Sequence, residues 1–64
     1  MQYVPESQFV DFLNAELVKD PQGAYLPPFT LGPQGFNWPH KNDKTDLIYL
    51  HVANLVREKY GIYH

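Results

Sequence analysis

A chain of 64 residues with a formal net charge of -2 holds one small domain, near the lower limit at which a single hydrophobic core sustains folding. Its 44% hydrophobic and 16% aromatic content is too high for a disordered chain of such modest charge. No cysteine occurs, which excludes disulfides, thiol chemistry and Cys-based zinc sites and leaves efficient packing or association to stabilise so small a domain.

No apolar run approaches the roughly 20 residues of a membrane span, and Met1 to Glu6 carries neither a basic n-region nor an apolar h-region. The expectation is a cytoplasmic protein without membrane association. Four Lys and one Arg supply no diffuse attraction to phosphate, so nucleic-acid binding would need a local basic patch.

The first predicted element is an amphipathic helix over residues 5–19. Phe9, Val10, Phe12, Leu13 and Leu17 fall at helical spacing, with Asp11 and Asn14 opposite. Pro5 suits the first turn, where its missing N–H is no loss, and Glu6 complements the helix dipole, with Ser7 an alternative cap. Asp20-Pro21-Gln22-Gly23 ends the helix: the residue before a proline avoids the helical region, and Gln22-Gly23 supplies turn chemistry after it.

Residues 20–42 form a connector rich in proline and aromatics. Five of the six prolines and three of the four glycines lie here, among Tyr25, Phe29, Phe36 and Trp38. A structureless loop of that length is uncommon in a compact domain, so its own aromatics should pin it down or it should serve a function. Gly32-Pro33-Gln34-Gly35 is a turn signal between Phe29-Thr30-Leu31 and Phe36-Asn37-Trp38, which allows a short β-hairpin.

A second helix is predicted over residues 43–60, capped by Asn42 or Asp43 and favoured by Asp46 in its first turn. Ile48, Tyr49, Val52, Ala53, Leu55, Val56 and Tyr60 share one broad arc, facing His51, Asn54, Arg57 and Glu58. Arg57 and Lys59 in the last turn and Gly61 after it form a stop signal, with Gly61 in a left-handed cap and Ile62 folding back onto the last turn. Leu47 and Leu50 project among the polar residues. Either the connector folds back over them or another protein chain does.

Chemistry is sparse. Ser7, Thr30 and Thr45 are the only hydroxyl nucleophiles, and none lies in a nucleophile-elbow setting. His40, His51 and His64 are scattered, with no i, i+4 pair to share a metal; His51 reads as a solvated helix residue and His64 as a free terminus. His40 would respond to a nearby carboxylate. The Gly32–Gly35 segment lacks the Lys-Ser/Thr of a phosphate loop, and Pro33 removes a backbone donor. No catalytic, metal or cofactor site is therefore expected.

The fold expected is mainly α, a single domain of two amphipathic helices and their connector, with Phe9, Phe12, Leu13, Leu17, Ile48, Val52, Leu55 and Val56 as its core. The leading functional expectation is a small non-enzymatic protein-interaction module, an adaptor, regulator or assembly subunit, that contacts another protein or a second copy through Leu47, Leu50, Tyr25, Phe29 and Trp38. Tyr25-Leu26-Pro27-Pro28-Phe29 joins rigid prolines to aromatics with large buriable areas, although such aromatics also serve to fill a small core. One alternative is a small enzyme or ligand-binding domain with a pocket near Trp38 and His40. A further alternative is a weak single-stranded nucleic-acid binder using Trp38, His40, Lys41 and Lys44, diluted by Asp43 and Asp46.

Overall fold

The chain runs β1 (Gln2–Val4), α1 (Glu6–Leu17), a 3₁₀ turn (Gly23–Tyr25), β2 (Thr30–Gly32), β3 (Gly35–Asn37), α2 (Asp43–Arg57) and β4 (Tyr60–Ile62). This computed structural model describes residues 2–63. Met1 and His64, the latter expected as a free terminus, lie outside the described residues. Helix makes up 48% and strand 19% of the structure; the helices predominate as expected, while the strands make the architecture mixed. No helix among the described residues is long and apolar enough to cross a membrane.

The helices form where the periodicity placed them, and their ends differ in instructive ways. Pro5 stands just outside α1 as its cap, with ψ 152°, and its carbonyl accepts the Phe9 N–H at 2.9 Å. It is not a first-turn residue because the preceding chain is extended in β1. At the other end, the Asp20 carboxylate accepts from the N–H groups of Gln22 at 2.8 Å and Gly23 at 3.0 Å. That turn brings Gly23 so close to α1 that a Cβ there would collide with the Leu17 carbonyl oxygen.

α2 starts at Asn42, whose side chain accepts from Thr45 N–H at 2.9 Å while Thr45 Oγ1 donates to the Asn42 carbonyl at 3.1 Å. It ends at Arg57, earlier than the 43–60 span predicted. Gly61 takes no left-handed cap. It lies in β4, paired with Tyr3 in a parallel ladder that also joins Gln2 to Tyr60 and Val4 to Ile62. Backbone pairing with the opposite end of the chain replaces the local cap, and Tyr60 stacks on Phe12 with ring centroids 4.4 Å apart.

The hairpin forms, with Thr30, Leu31 and Gly32 opposite Asn37, Phe36 and Gly35. Pro33 and Gln34 make the turn, and Gly35 leaves it at φ 115°, a conformation that a side chain resists. The core comprises Val4, Phe9, Val10, Leu13, Leu17, Phe29, Tyr49, Val52, Ala53 and Val56, with Phe12, Phe36, Trp38, Ile48 and Ile62 packed around it. Leu55 is the exception among the predicted core residues, since it lies at the edge of the helix–helix contact and is 36% exposed.

Candidate functional site

The connector's aromatics are divided between the interior and the surface. Phe29 is buried at 3% exposure, so it is a core residue rather than a partner contact. Its ring meets Tyr49 edge-on at 5.2 Å, Trp38 at 5.7 Å and Phe36 at 6.2 Å. The Asn14 side chain holds the Phe29 main chain on both sides, accepting its N–H at 2.7 Å and donating to its carbonyl at 3.2 Å. Helical periodicity places Asn14 on the polar face of α1 and carries no signal for this role.

Trp38 is half-buried, stacked on Tyr49 at 5.7 Å with the ring planes 20° apart. Its indole N–H donates to Asp46 Oδ1 at 3.0 Å. The same oxygen lies 3.2 Å from His40 Nδ1, while His40 Nε2 lies 3.0 Å from Asn37 Oδ1. Trp38 and His40 thus do come together, and Asp46 is the carboxylate close to His40. Both ring nitrogens of His40 face oxygens. The Thr45 hydroxyl donates to the Asn42 carbonyl, and the cluster links the hairpin's exit to the first turn of α2.

Tyr49 connects this cluster to the connector, donating its hydroxyl to the Pro27 carbonyl at 2.7 Å. Burial raises its pKa above the ordinary tyrosine value, and the Asp46 carboxylate adds to the rise. The phenol is therefore a structural donor. Among the described residues no group of three or more His, Asp or Glu side chains is placed to hold a metal ion.

Leu47 and Leu50 remain at the surface, 67% and 42% exposed. The connector does not fold back over them, because its aromatics pack instead against Tyr49 and the inner face of α1. Tyr25 is 90% exposed, in the 3₁₀ turn. Val18 and Leu31 are further exposed apolar side chains; helical spacing does not single out Val18, which comes after α1 as its cap.

On another face, α1 and α2 leave an open cavity of about 270 Å³. Phe12 and Ala15 of α1 and Leu55 and Val56 of α2 line it, and Lys19, Lys59, Glu16 and Tyr60 border it. Lys19 is paired with Glu16 at 3.3 Å. Leu55, displaced from the core, is thus one wall of a groove. No protein-family model matches the chain, and no curated protein or solved structure matches it.

Proposed function

We propose that the protein is a non-enzymatic protein-interaction module that docks through the outer face of the amino-terminal half of α2. The observation that carries this reading is the exposure of Leu47 and Leu50 on a helix whose opposite face is fixed in the core by Tyr49, Val52, Ala53 and Val56. Apolar residues at i and i+3 on a rigid helix are the anchors by which helical surfaces engage protein grooves. Burying a leucine is worth about 1.5–3 kcal/mol, so two leave a substantial gain to be made on association.

The alternative of an enzyme or ligand pocket at Trp38 and His40 has less support. His40 has both ring nitrogens facing Asp46 and Asn37, and the cavity lies elsewhere, between the carboxy-terminal parts of the helices. A stacking role toward nucleic acid is likewise less favoured, since Trp38 packs on Tyr49 and Phe29.

Photo-crosslinking tests the reading. A photoreactive residue at Leu47 should give a discrete protein adduct in cells, whether with another protein or with a second copy. The same group at Gln34, on the hairpin turn, should not. Absence of an adduct at position 47, or equal labelling at both positions, would remove the proposal.

A further inference from the structure

We infer that His40 is a proton-operated latch: as the imidazolium it closes the hairpin's exit onto the first turn of α2, and loss of its proton loosens that join. The inference rests on which atoms can donate. Asn37 Oδ1 accepts the Trp38 main-chain N–H at 2.8 Å, which fixes the oxygen end of that amide toward the cluster. The oxygen carries no hydrogen, so its bond with His40 Nε2 at 3.0 Å needs a proton on Nε2. Asp46 Oδ1 accepts the Trp38 indole N–H at 3.0 Å. An ionised carboxylate only accepts, so its contact with His40 Nδ1 at 3.2 Å needs a proton on Nδ1 as well.

Only the imidazolium donates from both nitrogens. In either neutral tautomer one ring nitrogen turns its lone pair on that of an oxygen, and one of the two contacts becomes repulsive. The proton is exchanged with solvent, which reaches the half-exposed ring. The closed cluster holds that proton better than the open one does. A histidine changes charge between about pH 5 and 8, so the join stabilises the fold on the acid side of that range and less toward its alkaline side.

The surrounding charges leave this balance to His40 and Asp46. Asp46, on α2, is the ionisable group paired with the ring, and no lysine or arginine pairs with Asp46 among the described residues. Asn37 and Trp38, at the end of β3 and just after it, bear no charge. Tyr49 of α2 meets the cluster through Trp38 and stays neutral throughout the histidine range, its hydroxyl held above the ordinary tyrosine value by burial and by Asp46. Lys41, Asp43 and Lys44 flank the cluster in sequence and make no ion pair with it among the described residues.

Urea unfolding of the wild type and His40→Gln at about pH 5 and about pH 8, the limits of histidine titration, tests the inference. Glutamine keeps a neutral polar side chain at a half-exposed position, so the variant should fold. At the acid limit its unfolding constant should exceed that of the wild type roughly two- to fivefold, the range for a partly exposed ion pair. At the alkaline limit the two should converge. In an Asp46→Asn background the effect of His40→Gln should no longer depend on pH, whereas in a His51→Gln/His64→Gln background, which lacks the other two histidines, it should depend on pH as before. The local readout is the nuclear Overhauser contact between the rings of His40 and Trp38, whose centroids lie 4.9 Å apart. It should be strong at the acid limit and weaken at the alkaline one. A ratio of unfolding constants equal at both limits, a ratio larger at the alkaline limit, or a pH dependence that disappears with His51 and His64 would overturn the inference. Ring contacts unchanged across the range would do the same and leave His40 a fixed support.

Discussion

Asn14 and Phe29 are joined by a two-sided hydrogen bond in which one side-chain amide satisfies both the N–H and the carbonyl of a main-chain residue. The pair secures the connector to α1 just where Phe29 enters the core. Such a residue has nowhere else to send its backbone polar groups.

Replacing Asn14 with Ala should therefore destabilise the domain by about 1–3 kcal/mol, the range for losing hydrogen bonds that leave buried partners unsatisfied. In a domain this small the melting temperature should fall by about 4–8 °C per kcal/mol. Amide hydrogen exchange gives the specific readout. The Phe29 N–H should lose protection in the variant more than the N–H groups of α2 do, and uniform loss throughout would assign Asn14 only a general stabilising role.

Gly23 and Gly32 should respond to a single added methyl group to very different extents. At position 23 the new Cβ meets the Leu17 carbonyl oxygen and comes within 2.9 Å of Leu17 Cδ1, so Gly23→Ala should destabilise by about 1–3 kcal/mol, as overpacking does. At position 32 the nearest atom is the Gly35 carbonyl oxygen at 3.7 Å, an ordinary contact. Gly32→Ala should stay within about 0.5 kcal/mol of the wild type. Urea denaturation of the two variants side by side checks the contrast.

The raised pKa of Tyr49, caused first by burial and then by Asp46, fixes the sign of an alkaline effect. Above the ordinary tyrosine pKa of about 10, the unfolded chain releases this proton while the folded chain retains it. The folded state then binds more protons, so the contribution of this group is fully present below about pH 10 and declines as the pH rises above it. Tyr49→Phe should be less stable than the wild type near neutral pH, having lost the bond to Pro27. The gap should begin to narrow as the pH rises through about 10, the ordinary tyrosine value, as measured by urea midpoints. A gap constant with pH would contradict the assignment.

The parts of the fold written in long periodic stretches were legible in the sequence. Phe9, Leu13 and Leu17 mark α1, and Tyr49, Val52 and Val56 mark α2, because each element repeats its pattern over several turns. The Gly32–Gly35 turn is legible from its chemistry. By contrast, β1 and β4 are three residues each, too short for alternation to register, and what stabilises them is each other across almost the full length of the chain. Local reasoning consequently assigns Gly61 to a helix cap.

The candidate site divides along the same line. The place of Leu47 and Leu50 outside the core arc can be read from the helical wheel, since their angular position depends only on α2, whereas the path of the connector, which leaves them uncovered, cannot. For Phe29 the sequence leaves core filling and partner contact both open, because its burial depends on Asn14 fifteen residues earlier and on the ring of Tyr49. The groove at Leu55 is invisible for a related reason: its walls come from two helices whose relative placement no local pattern encodes.

The pairing of β1 with β4 also bears on the order in which the molecule assembles. It closes the longest loop of any strand pairing in the fold, and the entropy lost in closing a loop must be met before its contacts return anything. The helical pair, whose elements nucleate locally, provides the platform on which that closure becomes favourable. The strand pair should then act as a late clasp, and native-state hydrogen exchange should show the N–H groups of β4 opening before those of α1 and α2.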